Sequence, residues 1–92
     1  MLKYKLSQEA YEEYKLFYGD DTIPFDLAEK KLNRNILCGK FVHEYNLIKK
    51  YHYKNMIIKT AFGEIIKVHR TNYVRKYRAK TKWKYNKLLG IV

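Results

Sequence analysis

The spacing of apolar and polar residues changes repeatedly along the chain, and each change predicts an element. Leu2-Lys3-Tyr4-Lys5-Leu6 alternates with the two-residue period of a half-buried strand. Ser7 follows as an N-cap whose hydroxyl can accept from the free amides of a first helical turn, and Glu9 lies where the helix dipole favours a negative charge. From there Ala10, Tyr14 and Phe17 recur at i, i+4 and i+7 with Tyr11 and Tyr18 beside them, while Glu12, Glu13 and Lys15 take other faces. This predicts a helix over 8–18, ended by Gly19, the residue that most readily takes a left-handed C-cap conformation.

Residues 20–24 carry Pro24, which lacks an amide proton and biases Ile23 away from helix, so this segment reads as a loop. Asp26 followed three residues later by Glu29 has the spacing of a capping box and places a helix over 27–38 with Ala28, Leu32 and Ile36 inward. Beyond Gly39 the apolar line moves to Phe41, Tyr45, Ile48 and His52. The helix then either breaks at Gly39 and a further one runs to about Tyr53, or it continues with two apolar faces; the break is the expected arrangement. A helix-turn-helix through Leu32 to Tyr53, with Lys40, His43, Lys49 and Lys50 on its second helix, is one form of that reading.

Met56 to Ala61 and Glu64 to Val68 are β-rich runs joined by Phe62-Gly63, a pair suited to a tight turn, which predicts a hairpin at about 56–69. The last stretch, Arg70 to Lys87, satisfies two patterns. As a helix starting near Thr71 it aligns Tyr73, Tyr77, Thr81, Tyr85 and Leu88 inward and sends Trp83 outward with Lys76, Lys80 and Lys87. As a strand, Ala79 to Tyr85 puts Lys80, Lys82 and Lys84 on one face and Thr81, Trp83 and Tyr85 on the other. The helix accounts for the longer register and is the expected form. The elements together make a small α+β domain: a short N-terminal strand, two to three helices, a hairpin and a basic C-terminal helix.

Composition bounds this picture. The chain has 92 residues, enough for a single domain over 1–92 with one modest core, and 47% of them are apolar. Its formal charge is +11, and that charge is unevenly placed. Residues 1–39 hold six basic and seven acidic side chains, whereas residues 40–92 hold fourteen basic side chains against only Glu44 and Glu64. The partner of such a surface is expected to be acidic. Cys38 is the single cysteine, so no internal disulfide forms and a reducing, cytoplasmic setting is expected. No apolar run of roughly eighteen residues is present, and no membrane partner is expected.

The chemistry concentrates in Arg70 to Lys87, which packs eight cations among four aromatic rings with no carboxylate. Lysine and arginine that neutralise phosphates release counterions, and arginine adds a fork of donors matched to phosphate oxygens. An aromatic ring exposed among the cations can stack on an unpaired base. The expected function is therefore a small, non-enzymatic nucleic-acid-binding protein acting on DNA or RNA through its phosphate backbone. The side chains expected to bind are Lys49, Lys50, Arg70, Arg75, Lys76, Arg78, Lys80, Lys82, Trp83, Lys84 and Lys87, with Lys54 extending the patch. No zinc-finger spacing, RNP-like strand motif or GxxG loop accompanies them, so sequence specificity is not encoded by an established motif.

Other readings are weaker. His43, His52 and His69 are scattered, and Cys38 with His43 and His52 supplies at most three ligands at a spacing unlike any zinc module, so neither catalysis, a metal nor a cofactor is expected. There is no Gly-rich phosphate loop or nucleophile elbow. The main alternative is a protein-binding inhibitor or adaptor of phage or mobile-element type, whose basic face occupies an acidic groove on a host enzyme that handles nucleic acid.

Overall fold

The computed structural model describes residues 3–18, 20–75 and 79–91, with the side chains of residues 75, 79 and 80 outside the description. In chain order the elements are β1 (Lys5–Leu6), α1 (Gln8–Tyr18), α2 (Phe25–Cys38), β2 (Lys40–Tyr45), β3 (Ile48–Ala61), β4 (Glu64–Arg75) and α3 (Ala79–Leu89). The strands form one sheet in the order β1-β4-β3-β2, antiparallel except for the parallel β1–β4 pair. The fold is α+β, with a short N-terminal strand, the Phe62-Gly63 hairpin and a C-terminal helix, as the pattern predicts.

The core lies between the sheet and the first two helices. Ala10, Tyr14, Ile23, Ala28, Leu32 and Ile36 meet Leu6, Met56, Ile58, Ile65 and Val68. Ala10 and Ala28 have no exposed surface, so these small side chains sit at closely packed positions. Ser7 caps α1 as expected, its Oγ accepting from the Ala10 amide at 3.1 Å.

Polar side chains of the helices also complete the sheet. Asn33, almost fully buried, accepts from the Lys3 and Tyr4 amides at 3.2 and 2.9 Å and donates to the Tyr4 and Glu29 carbonyls at 2.9 and 2.8 Å. Glu29 accepts from the Leu6 amide at 2.9 Å, and Glu13 accepts from the Val68 amide at 3.0 Å. Backbone donors along the β1 side are thus satisfied by helix side chains rather than left open to another strand. This corrects the capping box: Glu29 bonds β1, and α2 begins at Phe25 after Pro24 without a side-chain cap.

The expectation of a helix over 40–53, and with it the helix-turn-helix, is not met: these residues form β2 and the first half of β3. The break at Gly39 is real and has a steric cause. Its amide donates to the Asn35 carbonyl at 2.8 Å, and a Cβ there would lie 2.7 Å from the carbonyl oxygens of both Asn35 and His52. Strands β2 and β3 then form a hairpin turned by Asn46 and Leu47, at φ 49° and 67°, the two positive values that a type I′ turn requires. Phe41, Val42, Tyr45, Ile48 and Tyr51 are β-branched or aromatic and favour the strand.

A straight strand of fourteen residues would reach roughly 46 Å, against 34 Å along the longest axis of the molecule, so β3 bends. The bend falls at Lys54, where φ is 52° and the β4 register jumps from Arg75 to Arg70 between Lys54 and Met56. Residues 71–74 bulge outward there, with His52 Nε2 3.0 Å from the Tyr73 carbonyl oxygen. The C-terminal helix therefore starts at Ala79 and not near Thr71.

Candidate nucleic-acid interface

Helix α3 packs against α2 through its half-buried and buried residues Lys82, Tyr85, Asn86 and Leu89. Asn86 ties the two helices together by accepting from Arg34 Nη1 at 2.9 Å. Trp83, Lys84, Lys87 and Leu88 project the other way, Trp83 with 68% of its surface exposed and Leu88 also outside the core. Lys87 Nζ stands 5.6 Å from the centre of the Trp83 ring, one helical turn away. Of the aromatic residues expected to anchor this stretch, Tyr85 is half-buried, Tyr73 is 62% exposed on the β4 bulge, and Tyr77 lies outside the described residues. Tyr73 is thus a correction, caused by the strand bulge replacing the helical register.

The remaining side chains expected to bind distribute unevenly. Lys84 and Lys87 share the outward face of α3 with Trp83. Lys82 is on the inner side, near the Cys38 thiol, where burial pushes the thiol pKa up while Arg34 and Lys82 pull it down. Arg70 serves the fold: its Nη2 donates to the Phe17 carbonyl at the end of α1 at 2.7 Å, and its guanidinium lies 5.3 Å from the Tyr18 ring. Burial raises the Tyr18 hydroxyl to about 12 despite that cation. Lys76 and Arg78 lie outside the described residues, as do the side chains of Arg75 and Lys80.

Lys49 and Lys50 are on β3, in the β2–β3 hairpin rather than beside α3 in sequence or fold. Lys50 pairs across the hairpin with His43, and the bend of β3 brings Lys59 to the same depression, of about 170 Å³, lined also by Tyr45 and Ile48. Periodicity alone does not single out Lys59, because only the bend joins it to Lys50. Close by, the His69 pKa is lowered, by burial first and then by the charges of Lys59, Lys50 and Lys67. Lys67 itself is engaged by Glu13 at 3.1 Å and Glu9 at 4.0 Å. Lys49, Lys50, Lys59, Lys84 and Lys87 make no ion pair with a carboxylate among the described residues.

No three His, Cys, Asp or Glu side chains gather as a metal site among the described residues, and no described helix is long and apolar enough to cross a membrane. No protein-family model, curated protein or solved structure matches the chain. The electrostatics and geometry of its own surface therefore carry the functional argument.

Proposed function

We propose that the protein is a small, non-enzymatic nucleic-acid-binding module that contacts the phosphate backbone of DNA or RNA. The observation that carries this reading is the outward face of α3, where an exposed indole stands beside Lys84 and Lys87 with no carboxylate paired to either lysine among the described residues. Such a face offers cations to phosphates and one flat ring to an unpaired base. The Lys50–Lys59 depression on the β2–β3 hairpin supplies a second group of cations. A gel shift with generic duplex and single-stranded DNA across a salt series tests the reading. Binding at low salt that weakens steeply as salt rises is expected, and absence of binding at low salt overturns it.

One observation favours a second reading, an inhibitor or adaptor that binds a host protein. Strand β2 is at the sheet edge with all six residues exposed, and Phe41, Val42, Tyr45 and Leu47 present apolar surface along that hairpin. An open edge with apolar side chains suits strand addition by a partner. Pull-down from nuclease-treated lysate separates the two: a retained partner supports protein binding, and a partner lost with the nucleic acid supports the first reading.

A further inference from the structure

We propose that the cleft between α1, α2, the bend of β3 and α3 binds a single phosphate group. The cleft, of about 300 Å³, is lined by Tyr14, Tyr18, Arg34, Lys54, Asn55 and Lys82 among others, and no carboxylate of the described residues lines it. That volume matches the smallest ligand sites.

Arg34 is its centre. Only 8% of this residue is exposed, yet no carboxylate pairs with it among the described residues. Its Nε and Nη2 both donate to Asn35 Oδ1, at 3.1 and 3.0 Å, and its Nη1 donates to Asn86 Oδ1 at 2.9 Å. These neutral amides fix the guanidinium in place without compensating its charge. A guanidinium has five N–H donors, so one on each terminal nitrogen has no partner among the described residues. Burying a cation in this way is costly unless an anion completes the site.

The surroundings complete the fit. Lys54 and Lys82 bring two further cations to the same cleft from the β3 bend and from α3. The Tyr14 hydroxyl has no hydrogen-bond partner among the described residues, and burial raises its pKa so that it remains a donor. The field of Asp20 reaches Tyr14, but Asp20 does not line the cleft. Three cations and a phenol match a phosphate dianion, which offers several acceptor oxygens and needs no acceptor in return. The phosphate is either free, as inorganic phosphate or a small phosphomonoester, or the terminal phosphate of a nucleic-acid strand. Only the second source rests on the nucleic-acid reading above.

Isothermal titration of the full chain with inorganic phosphate, at ionic strength held constant with chloride, tests the site. Single-site binding is expected, about tenfold weaker in Arg34→Met and severalfold weaker in Lys82→Gln, and unchanged when Lys84 and Lys87 are both replaced by Ala. Circular dichroism checks that each variant folds, and if Arg34→Met does not, Lys82→Gln decides. A wild-type chain that takes phosphate no better than chloride overturns the proposal, as does wild-type affinity in folded Arg34→Met or in Lys82→Gln. Oligonucleotides with 5′-phosphate and 5′-hydroxyl ends then identify the source. Tighter binding of the phosphorylated strand, lost in Lys82→Gln, assigns a terminal phosphate; equal binding of the two strands assigns the free ion. Phosphate binding without any gel shift retains the cleft and removes the nucleic-acid reading.

Discussion

The two parts of the chain use polar residues in opposite ways. In residues 3–38 most of them are structural: Asn33, Glu29 and Glu13 complete the backbone bonding of β1, of the residues just before it and of β4, while Arg34, held by Asn35 and Asn86, is the one for which a ligand is proposed. From residue 40 onward many cations stand on the surface without carboxylate partners, as Lys49, Lys50, Lys59, Lys84 and Lys87 do among the described residues. Arg70 and Lys67 are exceptions, because both reach back to α1. The contrast teaches that net charge alone does not locate a binding surface. The proposed nucleic-acid surface is drawn instead from the cations that have no carboxylate partner among the described residues.

If this division is real, replacing polar residues of the first part should cost stability, and replacing surface cations of the second should cost affinity. The largest effect is expected for Asn33→Ala, which leaves two amides and two carbonyls without their side-chain partner. Urea unfolding should show a loss of about 3 kcal/mol. Gly39→Ala comes next, at about 2 kcal/mol by the same measurement, since the added methyl meets two backbone carbonyls that cannot both move aside. A loss below about 0.5 kcal/mol, the level of an ordinary surface change, would remove the steric explanation for the end of α2.

The smallest expected effect is on pH dependence and sharpens the comparison on the basic side. His69 has a folded-state pKa below its ordinary 6.5, through burial and the lysines around it. The unfolded chain therefore binds the proton more readily, so its contribution to stability is present above the unfolded pKa and is lost as pH falls through the folded one. Unfolding followed between neutral and acid pH should show this decline, and His69→Gln should reduce it. An equal slope in the variant would place the positive potential elsewhere.

Legibility in the sequence divides along the same line. The first part is readable because its elements use local signals: the Ser7 cap, the Ala10–Tyr14 stripe, the Ala28–Leu32–Ile36 stripe and the stop at Gly39. Residues 40–53 mislead because Phe41, Tyr45, Ile48 and His52 happen to recur at helical spacing, and because the turn residue after Asn46 is Leu47 rather than Gly. A leucine at φ 67° is strained by roughly 1–2 kcal/mol relative to right-handed backbone, so the turn carries no clear sequence signature. At the C-terminal end the outward position of Trp83 and Lys87 is legible from helical spacing, whereas the start of α3 is hidden by the β4 bulge. The Lys50–Lys59 depression and the Arg34 cleft are not legible, since each depends on a bend or a helix packing between residues distant in sequence.

The central claim, that the outward face of α3 meets nucleic acid, can be read from one signal because Trp83 is the chain's single tryptophan. Its fluorescence should be quenched on titration with single-stranded oligonucleotide at low salt. The quenching should weaken as salt rises, and replacing Lys84 and Lys87 by Ala should reduce the salt slope by about 1.4, roughly 0.7 for each phosphate of a single strand no longer neutralised. Unchanged Trp83 emission at low salt, with oligonucleotide in excess, would contradict the account.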